Sequence, residues 1–429
     1  MLRQRLEGTP GGLLTRPELV TLRLVGARVA LDGSAAVRAS VIVEDGRILD
    51  LTFDCLSPSS PSPSVQDRET VEVDLTGYLL LPGIVNPHDH LEFNLFPRLG
   101  KGPYQNFEEW VEEIYHPEDA PVRDHLAVPK AVRLWWGGIK NLLCGVTTVC
   151  HHNPFERDVF TDDFPVRVVR RYGWAHSLHF GGNILEAFRG TPPGAPFVLH
   201  LAEGVDPSRR DEIFELDRLG ALDRRTVIVH GVGLDAAGHR LLRQRGAGLI
   251  WCPSSNLFLL RQTLNPEGLK RIGRVALGND SALTAEGDFL DEIRAALRTT
   301  GMCSEDLWHL VTAGAADMLR LIHGEGGIRS GSVADLVALP DASLSPAQTL
   351  ARARFSDVEL VLLGGKPRLF SPRMSQRWPD DWRQGLEPLV VEGTERWVKA
   401  PVAWLFRETE KALGRNFELA RKKVERGAP

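Results

Sequence analysis

The sequence predicts an α/β protein built on a parallel barrel, with a smaller all-β unit assembled from the two ends of the chain, and three observations predict it. After residue 85 an apolar strand, a polar loop and an amphipathic helix recur roughly every 20–30 residues, the pattern of parallel strands joined by helical crossovers. Before residue 85, and again from about residue 325, the apolar positions are β-branched and partly alternating, broken by Asp-Gly and Thr-Gly turns. The length, 429 residues, exceeds one domain and accommodates a barrel of roughly 250 residues plus a second core.

Residues 1–17 mix Gly, Pro and charge without periodicity and are expected to form a flexible leader. TLRLVGARVALDG, AAVRASVIVEDGRILDL and TVEVDLTGYLLLPG read as strands, with SPSSPSPSVQD between them as an extended surface loop. GIRSGSVADLVALP and VELVLLGGKPRLF return to strand character, so residues 18–84 plus 325–375 are expected to make a composite β-sandwich. The barrel, residues 85–324, is then an insertion in it. Its clear strands are LPGIVNPHDH, GVTTVCHHN, FVLHLAEG, TVIVHGVGL and RVALGND, with GLIWCPSSN as a sixth. Asp206 with Pro207, Asp235 with the stop at Gly246, and Ser304 mark helix ends between or after them. Residues 376–429 carry apolar residues at helical spacing in ERWVKAPVAWLFRETEKALGRNFELARKKVERG and are expected to be a C-terminal helical extension.

Composition narrows the function. Apolar residues make up 43% and charged residues 25%, ordinary for a globular protein, and the net charge of −5 comes without a basic face. Nucleic-acid and membrane partners are therefore set aside, and a small-molecule substrate is expected. Cys55, Cys144, Cys150, Cys252 and Cys303 are odd in number with no Cys-x-x-Cys pair, which points to buried thiols in a reducing compartment. With no apolar signal core or membrane-length run, a cytoplasmic location is the expectation.

The chemistry lies at strand tips. His88 and His90 are two residues apart at the end of an apolar strand, so strand alternation puts both imidazoles on one face. His200 ends FVLH, His230 ends VIVH and Asp280 ends VALGND, and in a barrel such tips converge on one mouth. His88, His90, His200 and Asp280 form a set suited to one divalent ion, zinc first and ferrous iron as the alternative, with a position left for water. Glu203, three after His200, reaches the same mouth only if the chain bends, and Gly204 offers such a bend.

LPGIVNPHDHL, GVTTV, HLAEG, the histidine of VHGVGL, CPSSNLFLL, LGNDS and GSVADLV together resemble the amidohydrolase superfamily, in its branch of cytosine, guanine and adenosine-type deaminases and triazine hydrolases. The resemblance covers nearly the whole chain and implies a TIM-like (β/α)8 barrel with a metal bound by His88, His90, His200 and Asp280. It also implies that Glu203 carries a proton to the substrate, with His230 and Asp280 orienting and deprotonating the attacking water. No lysine stands where a carboxylated lysine would bridge two metals, so a mononuclear site is expected. Only about 50 residues separate GVTTV from FVLH, fewer than in relatives, so strands three and four are compressed and FPVRVVRRYGWAHSLHF is expected to supply both.

Tyr104 and Trp110, on a long connection read as a lid, and His151, His152, His179 and Asn256 are candidate substrate contacts, with Ser255 as a turn cap or pocket neighbour. His176 shares the ambiguity of His179, and Trp174 reads as core. The expected function is hydrolysis of a C–N bond, with deamination of a small heterocyclic or amidine-like substrate favoured. Amide hydrolysis and a catalytically silent scaffold are the alternatives, and barrels of this type often dimerise, so a homodimer is expected.

Overall fold

The computed structural model describes residues 20–53, 69–180 and 182–427; the leader, the Ser/Pro stretch and Cys55 lie outside them. The six strands read from the sequence are all present, and two more complete a parallel set. They are β1 (Ile84–Asp89), β2 (Val146–His151), β3 (Arg167–Val168), β4 (Gly173–Ser177), β5 (Phe197–Leu201), β6 (Thr226–His230), β7 (Gly248–Trp251) and β8 (Val275–Leu277). Every residue of β1, β2 and β5 to β8 is buried, as strands covered on both faces must be.

β1 to β3 make one parallel sheet and β4 to β8 another, giving a TIM-barrel-like α/β fold. The sheets meet where Asp89 bridges Asp280 and the backbone N–H groups of Asn279 and Asp280 both donate to the His88 carbonyl at 3.1 Å. On the other side no helix separates β3 from β4. Val169 N still donates to Val149 O of β2 (2.9 Å), and four residues later Gly173 N donates to Pro196 O beside β5 (2.8 Å). FPVRVVRRYGWAHSLHF thus supplies both strands by passing from one ladder to the next.

The helix ends follow the sequence signals. Asp206 accepts from Ser208 N at the head of Pro207–Arg218, and Asp235 caps Ala236–Arg245, which ends at Gly246 in the left-handed region (φ 69).

Strands from both ends of the chain lie in one sheet, where Tyr78–Pro82 pairs antiparallel with Leu336–Pro340. Where a two-layer sandwich was expected, the strands form one continuous mixed sheet. Ala36–Glu44 joins its halves, pairing Arg38 and its neighbours with Arg28–Ala30 and Val41–Val43 with Leu22–Leu24. The helical extension expected over 376–429 is corrected: Glu387–Val391, Thr394–Val398, Glu418–Leu419 and Lys422–Arg426 are strands that prolong this sheet, and only Val402–Leu413 is a longer helix. Leu389 and Val391, then Arg396 and Val398, bury on alternate positions across a turn in which Glu392 and Gly393 both have positive φ, a tight hairpin. Those runs are too short to stand out from the surrounding helical spacing.

Cys144, Cys150 and Cys252 are buried free thiols, whereas Cys303 is exposed, so burial does not hold for it. Among the described residues no helix is long and apolar enough to cross a membrane.

Candidate metal centre

β1 divides its polar residues by alternation. His88 and His90 turn into the mouth, and Asp89 between them turns back into the protein, where Lys140 Nζ (2.7 Å), Asn94 Nδ2 and Asn141 Nδ2 (both 2.9 Å) and Asn86 Nδ2 (3.2 Å) surround its carboxylate. Lys140, on the helix Lys130–Leu143, also donates to Asn279, the residue before Asp280. Gly278 makes this junction possible: a Cβ there would come within 2.9 Å of His88 Cβ and 2.6 Å of Ile250 Cγ2.

The imidazoles converge through one type of nitrogen. His200 Nε2 lies 3.3 Å from His88 Nε2 and 3.4 Å from His90 Nε2, and Asp280 Oδ1 lies 3.9 Å and 3.8 Å from those same two nitrogens. Bonds of about 2.0–2.1 Å at tetrahedral angles place the ligand atoms of a zinc ion roughly 3.4 Å apart; among the described residues two groups lie close enough to hold a metal ion, His88 with His90 and Asp280, and His88 with His200 and His230. His200 Nδ1 donates to the His176 carbonyl (2.8 Å), which leaves its Nε2 a bare lone pair. Burial, followed by the other histidines of the cluster, holds His88 and His200 well below the ordinary imidazole range, so both are the neutral form a metal requires.

A second set of groups adjoins the first. His230 Nε2 is 3.5 Å from Glu203 Oε1 and 4.0 Å from Asp280 Oδ2. Asn256 Nδ2 donates to Thr263 Oγ1 (3.1 Å), so its Oδ1 accepts from His230 Nδ1 (2.8 Å) and leaves His230 Nε2 unprotonated toward the mouth. Asp280 Oδ2 accepts from Ser255 Oγ (2.7 Å) and Thr284 Oγ1 (3.1 Å). Burial, and after it the charge of Asp280, push the Glu203 carboxyl well above its ordinary value. His230, Asp280 and Ala202 all take left-handed backbone conformations (φ 72, 60 and 54), strain of the kind that gathers at working sites.

The remaining predicted residues divide. His152 joins the cluster, its ring 4.3 Å from that of His200, and Asn256 serves His230 rather than facing the mouth. His151 turns away, its Nε2 3.4 Å from Glu92 Oε2. Tyr104 packs on Leu259 and Leu260 with its hydroxyl accepting from Lys101 N (2.8 Å), and Trp110 Nε1 donates to Leu99 O (2.9 Å), so both hold their own loop. His179 is half-exposed 3.7 Å from Glu215 and stands apart. The sequence reading left two contributors unassigned: His176, 5.0 Å from His200 and 5.6 Å from Phe107, and Phe180, 4.7 Å from His176. His176 stands near the tip of β4, the one signal that could have found it, while Phe107 opens the helix Phe107–Ile114 and Phe180 lies in the loop after β4.

Residues 196–367 match the profile of the Amidohydrolase family. The chain is 32% identical over 402 residues to the 5-methylthioadenosine/S-adenosylhomocysteine deaminase of Haloquadratum walsbyi, covering 77% of this chain and 87% of that protein. It is 27% identical over 409 residues to the protein of the same name from Natronomonas pharaonis, with 81% and 92% covered. The crystal structure of an adenosine deaminase from Xanthomonas campestris with bound zinc matches with a TM-score of 0.63 at 19% identity, over 91% of this chain and 97% of that one.

Proposed function

This chain belongs to the amidohydrolase family and is a metal-dependent hydrolase of carbon–nitrogen bonds, and from that premise we propose that it deaminates a small aminoheterocycle at a single zinc held by His88, His90, His200 and Asp280. The observation that carries the reading is the convergence of three Nε2 atoms and Asp280 Oδ1 at spacings of 3.3–3.9 Å, beside a buried glutamate.

A divalent cation there supplies Lewis-acid activation of the attacking water. His230, held by Asn256 in the tautomer with a free Nε2, accepts the proton that water gives up. Asp280 turns one oxygen to the ligand atoms and keeps the other on Ser255 and Thr284, so its carboxylate cannot rotate out of place. Glu203, whose carboxyl is pushed upward by burial and by the charge of Asp280, carries a proton to the ring nitrogen beside the amine-bearing carbon. His230 then passes the water's proton to the departing amine, which leaves as ammonia, and Glu203 recovers its proton from the new hydroxyl, leaving a carbonyl beside the protonated ring nitrogen. His152, His176 and Phe107 border the centre, and their flat rings suit a planar substrate.

Relatives named for 5-methylthioadenosine and S-adenosylhomocysteine make the exocyclic amine of an adenine nucleoside the first substrate to test. Zinc-loaded protein is expected to release ammonia from a member of a panel of aminopurine nucleosides, free aminopurines and aminopyrimidines. Glu203→Gln should lower kcat by roughly 10²–10⁴-fold with zinc retained. Full activity in that variant, or amide hydrolysis without ammonia from any aminoheterocycle, would reverse the proposal.

A further inference from the structure

Glu203 is three residues beyond His200, and continued strand alternation would point it away from the imidazoles. The chain is redirected at Ala202, which takes a left-handed conformation (φ 54) that a residue with a β-carbon adopts only at a cost. The sequence suggested Gly204 for this bend. Gly204 is instead a close-approach position, where a Cβ would meet Arg209 Cγ at 2.7 Å and Gln105 O at 2.8 Å.

Three backbone groups of the bend are held from outside the strand. Gly233 N donates to the Ala202 carbonyl (2.9 Å), Phe107 N donates to the Glu203 carbonyl (3.2 Å), and the Ala202 N–H is taken by Glu212 Oε2 (2.6 Å). Of these three partners only Glu212 is a side chain. It is buried, and Arg209 Nη1 holds its other oxygen at 2.6 Å, so one oxygen is committed to the arginine and one is left for Ala202. The same guanidinium reaches Glu108 Oε2 (2.9 Å) on the helix Phe107–Ile114 and Asp206 Oδ2 (3.3 Å), which also accepts from Asn106 Nδ2 (2.9 Å).

We infer that Glu212, oriented by Arg209, is a positioning residue for Glu203: its carboxylate holds the Ala202 bend that aims Glu203 at His230, and its arginine clamps the 105–108 segment against the same bend. This rests on the reading of Glu203 as the proton carrier. Without an acceptor for the Ala202 N–H, the strained residue returns to an extended conformation and swings Glu203 out of reach of His230. His200 is unaffected, because the ladder to Val229 and the bond to His176 O hold it independently.

The test is a double-mutant cycle on full-length zinc-loaded enzyme, reading ammonia release from 5-methylthioadenosine, joined to the crystal structure of Glu212→Ala. Glu212→Ala should lower kcat about 10–100-fold while KM and zinc content stay within about twofold. Glu212→Gln, whose amide oxygen still accepts from Ala202, should stay within about fivefold of wild type, and Glu212→Ala should add less than about threefold in a Glu203→Gln background. The crystal structure should show Ala202 at negative φ and Glu203 Oε1 farther from His230 Nε2 than 3.5 Å. If Glu203→Gln is fully active, the proton-carrier role fails while the crystal result still decides the bend. If Glu203→Gln is impaired but Glu212→Ala keeps wild-type kcat, multiplies the loss independently, or retains the Ala202 bend, the positioning role is overturned. Should 5-methylthioadenosine not turn over, the crystal structure decides alone.

Discussion

Lys140 offers a direct test of what binds the two halves of the metal centre together. It is 1% exposed, its ammonium is 2.7 Å from Asp89 Oδ2, and it donates to Asn279. Asp89 lies between His88 and His90, and Asn279 precedes Asp280, so one buried cation ties β1 to β8 behind three of the four proposed ligands. Lys140→Met keeps the length of the side chain and leaves the fully buried Asp89 carboxylate with only the amide donors of Asn86, Asn94 and Asn141. Losing one partner of a buried ion pair costs about 3–5 kcal/mol, and the three remaining hydrogen bonds set the expected loss near the lower end, about 3 kcal/mol. Urea unfolding of the metal-free protein measures it, and chelator competition should show zinc bound about 10–100-fold more weakly. In Asp89→Asn/Lys140→Met the orphan charge is gone, so about 1–2 kcal/mol should return. A Lys140→Met protein within about 1 kcal/mol of wild type, or a double variant no more stable than the single, would refute the reasoning that an uncompensated carboxylate is what the protein feels.

Chelator dialysis should abolish hydrolysis and one equivalent of zinc per chain should restore it, with His200→Ala or Asp280→Ala protein carrying almost no metal by elemental analysis; activity surviving without metal would contradict the site. Asn256→Leu removes the acceptor that fixes the His230 tautomer, so kcat should fall about 10–100-fold at unchanged zinc content, and an unaltered kcat would show that the tautomer is set elsewhere. Burial pushes the Glu292 carboxyl, which accepts from Ser254 N (2.9 Å), from its ordinary 4.5 up to about 8. Its folded value is raised, so the unfolded chain ionises first and stability is lost as pH rises from 4.5 to about 8, by roughly 5 kcal/mol at most. Glu292→Gln should flatten that fall in urea titrations at pH 5 and pH 8, and an unchanged slope would place the pH dependence elsewhere.

Much of the centre was legible in the sequence because each part depends on local regularities. His88, His90, His200, His230 and Asp280 end apolar runs, strand alternation pairs His88 with His90, and parallel strands bring their carboxyl ends to one mouth. Contacts between distant segments decided the rest. His151 and His152 are neighbours in sequence, yet one faces Glu92 and the other the metal cluster, because the end of the strand separates their directions. Tyr104 and Trp110 are spent on Leu259, Lys101 and Leu99, partners that their own spacing could not name. The C-terminal strands find their ladder on Lys366–Phe370 and on one another, and short period-two runs carry little signal until that ladder exists. Position along a strand is written in the chain itself, so the sequence alone determined that His88, His90, His200 and Asp280 stand at strand ends; the hydrogen bonds that Glu212, Gly233 and Phe107 make to the bend at Ala202 and Glu203 join segments far apart in the chain, and only the tertiary structure decided them.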